Sequence, residues 1–259
     1  MATKDNSLKD FFDSKVDLYN QLSFIKNDPI SIPHLFSKKQ DIEIAGLFAA
    51  LFSWGNRTTI INKSKELMEH MDHAPHDFIV NHTKKNLKKI LSFKHRTFND
   101  TDLLYFIEFL KSHYSKHPSL ETAFSKWMQG KDLDIEKGLN GFYTYFFSLD
   151  YAPDRTRKHI ACPEKKSSCK RLNMFLRWMV RSDDKQVDFG IWKSIKPSQL
   201  ICPIDVHVAR VAHRFLVLER KPIDWLAAKE LTAYLRTLDP NDPVRYDFAL
   251  FGMGVMEKY

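Results

Sequence analysis

An acidic residue, Asp205, lies where a proline-containing segment gives way to an amphipathic helical pattern. A carboxylate at a helix start accepts backbone N–H bonds as an N-cap. Asp205 is flanked by Ile204 and Val206, and a carboxylate fixed in such surroundings can also stabilise positive charge that develops in a transition state. The residue types leave both roles open. The apolar residues that predict one buried helix face are Val208, Val211, Ala212, Phe215 and Leu216.

The net charge of +8 comes from one segment, residues 155–181. This segment contains a single acidic residue, Glu164, and the rest of the chain is balanced in charge. Such a concentration is typical of a surface that binds a polyanion, and nucleic acid is the favoured partner. The alternative is a solvated basic face. The basic residues of the segment are Arg155, Arg157, Lys158, Lys165, Lys166, Lys170, Arg171, Arg177 and Arg181.

Within the basic segment, residues 163–168 (PEKKSS) separate two helix-like stretches, and Ser167 or Ser168 is placed to cap the second of them. A helical wheel of that second stretch puts Lys170 and Arg177 on a polar face. A short hairpin followed by a basic amphipathic helix presents backbone N–H groups and cations to phosphates. A lysine amine is also a nucleophile, so the residue type leaves Lys170 as either a phosphate ligand or a catalytic group.

The sequence pattern predicts that all the elements that position these residues are helices. Glycine accounts for 8 of 259 residues, below the average share of roughly 7%, and no run of alternating strand pattern occurs. The sequence therefore predicts an all-α protein, with Asp41 and Asp224 as further N-caps and a mixed connection over 183–200. The predicted helices besides those at Lys170 and Asp205 lie within 41–54, 54–71, 101–114, 120–128, 224–239 and 242–255.

Composition excludes several other classes of protein. The three cysteines lie far apart without a CxxC pair, which argues against a disulfide framework, a zinc site or an iron–sulfur site. The N-terminus lacks an apolar signal segment, and the longest apolar run is far shorter than the ~20 residues of a membrane span. We therefore expect a cytoplasmic protein with no membrane partner and no metal site.

Four blocks of the sequence resemble the helix-hairpin-helix DNA glycosylases, the superfamily of endonuclease III and 8-oxoguanine DNA glycosylase. "CPIDVHVARVA" resembles the segment that places an aspartate at a helix N-terminus, and "CPEKKSSCKRLNMFL" resembles the hairpin whose second helix begins with the catalytic lysine. "GLFAALFSWGNRTTIINK" is similar to the first barrel helix with its minor-groove loop, and "YDFALFGMGV" to the late helix that closes the base pocket. The chain is most similar to a bacterial branch with KRLNMFLRWMVR and DVHV blocks.

The resemblance implies that Lys170 and Asp205 are the catalytic residues. In that chemistry the lysine amine attacks C1′ of the damaged nucleotide, expels the base and forms a Schiff base, which permits β-elimination. The aspartate stabilises the oxocarbenium character of the sugar. Both groups reach the nucleotide only after it leaves the base stack.

The resemblance also implies a base pocket and a DNA surface. Met174 and Phe251 would face the extruded base, and Asp247 would accept hydrogen bonds from a guanine-type edge, although it can equally pair with Arg245 or cap a helix. In the loop after the first barrel helix, Asn56 and Arg57 would probe the opposite base, with Trp54 in support; a structural role is the alternative for each. The DNA contacts implied at the hairpin are Lys165, Lys166, Ser167, Ser168, Arg171 and Arg177.

The sequence departs from the superfamily pattern in three places. The hairpin has Lys165-Lys166-Ser167 where the family has Gly-x-Gly, and 35 positions separate Lys170 from Asp205, a longer gap than in the familiar enzymes. The C-terminal cysteine cluster of endonuclease III is missing, so we expect no iron–sulfur cofactor. A monovalent cation at the hairpin is the one ion that the resemblance implies.

Together these features predict a two-lobed monomer with the site in a cleft between residues 41–183 and residues 1–40 plus 184–259. The expected activity is a base-excision glycosylase with abasic-site lyase activity on damaged double-stranded DNA at the bacterial nucleoid, with 8-oxoguanine the favoured lesion. One alternative is a monofunctional glycosylase for alkylated or deaminated bases, in which Lys170 binds phosphate. The other is a helix-hairpin-helix module that binds DNA without catalysis.

Overall fold

A computed structural model describes residues 2–259, with side chains described from Ser7 onward. The all-α prediction is confirmed, because the described residues contain helices and two isolated bridges but no strand. Six short 3-10 helices connect the α-helices: Pro29–Ser31, Pro33–Leu35, Asp154–His159, Pro163–Lys165, Pro197–Gln199 and Pro243–Tyr246. The α-helices are α1 (Ala2–Tyr19), α2 (Leu22–Ile25), α3 (Lys39–Phe52), α4 (Arg57–His70), α5 (Pro75–Asn81), α6 (Lys84–Ile90), α7 (Asp100–Tyr114), α8 (Thr122–Ser125), α9 (Glu136–Phe146), α10 (Lys170–Val180), α11 (Val206–Arg214), α12 (Trp225–Leu238) and α13 (Asp247–Met256).

The chain divides into two compact units whose boundaries differ from the predicted lobes. The first unit combines the residues up to Lys26 with Gln129–Glu136 and Cys162–Tyr259. The second unit consists of Asn27–Met128 and Lys137–Ala161. The hairpin therefore belongs to the same unit as Asp205, whereas the prediction assigned them to different lobes.

In the first unit, α13 is the helix on which others pack. Both α1 and α11 lie against it, and α13 is buried over most of its length because its residues are apolar on all sides. The ring of Phe12 on α1 contacts the rings of Phe215 and Tyr246 at centroid distances of 5.4 and 6.2 Å. Burial of these aromatic surfaces holds α1 and the end of α11 together against α13.

In the second unit, α3 forms the centre of an aromatic core. Its residues from Asp41 to Phe52 are all buried, which confirms the prediction of a buried helix within 41–54. Phe48 and Phe52 contact rings from later elements, including Phe106 at 5.8 Å and Phe98 at 5.1 Å between centroids.

Asp41 does not cap this helix, so the predicted N-cap is wrong. The helix begins at Lys39, two residues earlier, and the Asp41 carboxylate instead accepts a hydrogen bond from the backbone nitrogen of His76 at 2.8 Å. That bond links α3 to the start of α5. Asp224, in contrast, caps α12 as predicted, since its side chain accepts from the backbone nitrogen of Ala227 at 3.1 Å.

The other predicted helices are found with altered lengths. Of residues 120–128 only Thr122–Ser125 form an α-helix, and 242–255 begin with a 3-10 turn before α13. No helix within residues 2–259 combines the length and apolar character that a membrane span requires.

Candidate functional site

Lys170 and Asp205 meet in the first unit, each at the start of a helix. The distance from Lys170 Nζ to Asp205 Oδ2 is 3.7 Å, and each side chain is 24% exposed. Lys170 is the first residue of α10, and Asp205 directly precedes α11. A partly open amine and carboxylate thus face each other although 35 positions separate them in the chain.

The two oxygens of Asp205 have different partners. Oδ1 accepts hydrogen bonds from the backbone nitrogens of His207 at 2.9 Å and Val208 at 3.1 Å, so the predicted N-cap is confirmed. Oδ2 is the oxygen that faces Lys170. One carboxylate therefore both starts the helix and presents a negative charge, and the helix holds that charge in a fixed position.

The hairpin before α10 turns by means of two left-handed residues. Lys166 has φ +59° and Cys169 has φ +52°, conformations that favour glycine. Neither position is a glycine, so the turn carries backbone strain. Lys165 and Lys166 are exposed, while Ser167 and Ser168 are half-buried.

Neither serine caps α10, so that prediction is wrong. The residue at the N-cap position is Cys169, whose side chain makes no capping bond. The Ser167 hydroxyl instead accepts from the backbone nitrogen of Cys169 at 3.2 Å, and the Asn173 side chain donates to the Ser168 carbonyl at 3.0 Å. These bonds hold the turn against the first part of α10.

The hairpin is also joined to the start of α12. Ser167 forms an isolated antiparallel bridge with Asp224, and the Asp224 carboxylate receives the Arg220 guanidinium through contacts of 2.8 and 2.5 Å. The hydrogen bonds from Arg220 lower the pKa of Asp224 to about 2, so the carboxylate stays ionised at neutral pH. This link positions the hairpin that precedes Lys170.

Arg177 is buried, which contradicts its predicted role as a DNA contact. Only 4% of Arg177 is exposed, and its guanidinium pairs with Asp188 at 3.3 Å and with Asp247. It also lies over the Phe248 ring, 4.3 Å from the centroid. Arg181 is buried in a similar way among Asp183, Asp188 and Asp242. The side of α10 that carries Arg177 and continues to Arg181 is therefore buried, because acidic residues from later in the sequence pair with both guanidinium groups.

The same pairing removes Asp247 from its predicted role at a base edge. Asp247 is buried and accepts a hydrogen bond from Arg177, so its carboxylate is committed to the protein. The alternative pairing with Arg245 is also wrong, because Arg245 NH1 lies 3.5 Å from Asp239 and 3.8 Å from Asp13. Burial raises the pKa of Asp247 to about 6. The positive charges of Arg177 and Lys170 oppose this increase, and the negative charge of Asp205 adds to it.

The basic segment therefore presents less free charge than its composition suggests. Besides Arg177 and Arg181, Arg155 lies 3.4 Å from Asp102 and Arg157 lies 3.3 Å from Asp154. The segment is also divided between the units, since residues up to Ala161 belong to the second unit. Lys158, Lys165 and Lys166 are exposed, and Arg171 is half-buried, with burial lowering the pKa of its guanidinium.

Two predicted base-pocket residues lie on helices of the first unit, Met174 on α10 and Phe251 on α13. Met174 is one helical turn after Lys170 and is 9% exposed. Phe251 is half-buried on α13, one turn after Asp247. Sequence reasoning missed a second aromatic residue, Phe24, whose ring centroid lies 6.3 Å from that of Phe251. No sequence motif indicated Phe24.

In the second unit, an N-cap and a cation–π contact hold the segment Trp54–Arg57 in place. The Asn56 side chain caps α4 by accepting from the backbone nitrogen of Thr59 at 3.1 Å, and Gly55 has φ +104°. The Arg96 guanidinium lies over the Trp54 ring, 4.4 Å from its centroid. Trp54 and Arg57 are half-buried, and Asn56 is exposed. Trp54 is thus held by a cation–π contact that the sequence had not indicated.

Replacing Arg177 by methionine is expected to lower the free energy of unfolding by about 3 kcal/mol, because it leaves the buried Asp247 carboxylate without its cation. The loss should be smaller at pH 5 than at pH 8, since an aspartate whose pKa is raised in the folded state takes up a proton as the pH falls. Urea denaturation followed by circular dichroism measures both effects.

Arg214→Met is the control for Arg177→Met, because Arg214 is exposed. Asp247→Asn added to Arg177→Met should recover part of the lost stability. A loss equal to that of the control would contradict a buried pair.

Within the part of the chain that the structure describes, no group of three or more histidine, cysteine, aspartate or glutamate side chains is placed to hold a metal ion. The three cysteines are buried and unbridged. The monovalent cation at the hairpin stays a prediction from the resemblance.

Comparison with known proteins places this site within a family. Neither the curated proteins nor the solved structures provide a match. A family model with the description "Protein of unknown function (DUF2400)" matches residues 28–256, a range that includes the hairpin, Lys170, Asp205 and α13. Since the match extends over most of the sequence, the chain belongs to the DUF2400 family.

Proposed function

We propose that this protein is a DNA glycosylase with abasic-site lyase activity that removes an oxidised purine. The observation that carries the proposal is the 3.7 Å approach of Lys170 Nζ to Asp205 Oδ2, with both side chains partly open. A nucleophilic amine beside a fixed carboxylate is the pair that this chemistry requires. The resemblance of the hairpin and the DVH segment to the glycosylases supports the same assignment.

In the proposed reaction the neutral Lys170 amine attacks C1′ of the everted nucleotide, and the C1′–N bond breaks with its electron pair leaving on the base. Once the attached nitrogen has lost a proton, its lone pair expels O4′, which takes up a proton from solvent, and a protonated Schiff base results. Loss of a C2′ proton to water and departure of the 3′ phosphate with the C3′–O electron pair complete the β-elimination. After the attack, Asp205 Oδ2 can take one proton from the nitrogen now bonded to C1′ and pass it to the departing base. This needs a shift of about 1 Å, since hydrogen bonds between charged groups are roughly 2.7–2.9 Å long. Until Asp205 takes that proton, its negative charge stabilises the cationic sugar.

The remaining predicted residues have supporting roles in this proposal. Met174 and Phe251 contact the base, while Lys165, Lys166, Ser167, Ser168 and Arg171 contact phosphates. Trp54, Asn56 and Arg57 act at the opposite strand. Asp247 and Arg177 are left out, because they are bonded to each other and buried. The choice of 8-oxoguanine consequently depends on the superfamily resemblance without support from Asp247.

The test is borohydride trapping on a panel of duplexes that carry one lesion each, beginning with 8-oxoguanine opposite each of the four bases. An abasic duplex and an undamaged duplex complete the panel. We expect base release from an oxidised purine and a covalent protein–DNA adduct with both that lesion and the abasic site. Base release without an adduct would favour a monofunctional glycosylase. Salt-dependent binding with neither reaction would contradict the enzyme and leave a DNA-binding module.

A further inference from the structure

The short helix α2 places an aromatic ring beside the proposed base pocket. The Phe24 ring lies 6.3 Å from the Phe251 ring with an interplanar angle of 79°, and 5.7 Å from the Phe248 ring at 77°. Phe248 is buried, whereas Phe24 and Phe251 are both half-buried. Edge-to-face rings are a favoured arrangement, and here they form a corner that is partly open.

This corner lies on the side of α13 that faces Asp205 and its helix. Asp247, Phe251 and Gly254 are spaced four and three residues apart, so they share one face of α13. Gly254 packs on α11, where an added Cβ would meet the His207 carbonyl oxygen at 3.0 Å. Asp247 accepts a hydrogen bond from Arg177 on α10, the helix that begins with Lys170. Phe251 lies between these two positions, and Phe24 lies against Phe251.

The preceding helix fixes the position of Phe24. The Tyr19 ring lies so close to Gly252 that an added Cβ would be 2.2 Å from it, and the Tyr19 hydroxyl donates to Glu257. Lys15 Nζ reaches the same carboxylate at 2.8 Å. Just beyond α1, the Asn20 side chain donates to Asp183 at 2.6 Å. The chain therefore enters α2 from an anchored point.

We propose that Phe24 forms the second aromatic side of the base pocket and helps to select a planar, extruded base. This inference rests on the proposed function. The Phe24 ring stacks on the face of the base, and the Phe251 ring contacts its edge. Phe24 precedes the residues matched by the family model, which begin at 28, and so neither the family match nor the superfamily resemblance assigns it a role.

The experiment compares two substrates that differ only in the presence of the base. One duplex carries 8-oxoguanine, or the oxidised purine that the panel identifies, and the other carries an abasic site at the same position. Base release from the first requires the pocket, whereas borohydride trapping on the second requires the Lys170 amine alone. For Phe24→Ala we expect base release about 10-fold slower, the loss typical of one base–aromatic stack, and trapping within twofold of the unaltered protein.

Three further variants separate a ring contact from general packing. Phe24→Tyr should stay near the unaltered rate and Phe24→Leu should resemble Phe24→Ala, because leucine fills space without a ring face. Leu22→Ala is the matched control, since Leu22 is an exposed residue on the same helix. Full activity in Phe24→Leu, or equal losses on both duplexes, would overturn the inference and leave the proposed enzyme intact. Failure of the unaltered protein on both duplexes would overturn the proposed function itself.

Discussion

Replacing Lys170 by glutamine is expected to abolish the borohydride adduct, with a decrease of at least about 10³-fold, as is usual when a nucleophile is removed. Glutamine keeps most of the length and polarity of the side chain at the start of α10, but its amide nitrogen cannot form a Schiff base. Because the lost ion pair is partly exposed, stability should change by less than about 1 kcal/mol. Quantified adduct on a gel, with the abasic duplex, measures the effect.

Lys166→Gln is the control for Lys170→Gln. Lys166 is an exposed lysine of the same hairpin, so its loss should weaken DNA binding slightly and reduce the salt dependence by about one ion, while the adduct still forms. An adduct of normal yield in Lys170→Gln would show that a different amine reacts. Lys170 would then be at most a phosphate ligand.

Replacing Asp205 by asparagine is expected to slow base release by about 10²–10³-fold, the effect of losing one electrostatic group that acts on the transition state. Asparagine is as good an N-cap as aspartate, so its amide oxygen can keep the bonds to His207 and Val208 that start α11. The change thus removes the charge beside Lys170 and keeps the helix. Single-turnover rates on the lesion duplex, together with melting temperatures, separate the two effects.

Asp224→Asn provides the matched comparison, because Asp224 caps α12 with the same local geometry but pairs with Arg220. The bridge from Asp224 to Ser167 is formed by the backbone and is kept in this variant, so base release should stay within about twofold. If Asp205→Asn retained the full rate, the carboxylate would be only a helix cap. If both variants lost activity in proportion to their melting temperatures, the charge of Asp205 would have no part in the chemistry.

The contrast between these caps shows which features of the fold are predictable from sequence. Asp205 and Asp224 each directly precede a helix with a clear apolar period, and both cap as predicted. Asp41 fails because its helix begins two residues earlier and its carboxylate binds a distant backbone nitrogen. Ser167 fails because the chain enters α10 through a left-handed residue. Local sequence patterns predict that a helix forms, whereas hydrogen bonds to distant parts of the chain decide where the helix begins and ends.

The site shows the same division between local and long-range information. The helical wheel of α10 placed Arg177 on a solvent face, and nothing local could show that Asp188 and Asp247 would bury it. The pairing of Lys170 with Asp205 came from resemblance to known enzymes, since no spacing rule joins residues 35 positions apart. Phe24 and Arg96 carried no motif, because their roles arise only from the rings that they meet.

The first unit can be completed only late in protein synthesis. Its residues come from both ends of the described chain, with α1 packed on α13. Most of the second unit is continuous from Asn27 to Met128 and can begin to fold while the ribosome is still translating later codons. Until α13 emerges, α1 lacks its docking helix, and an aborted or prematurely released polypeptide would lack a finished site.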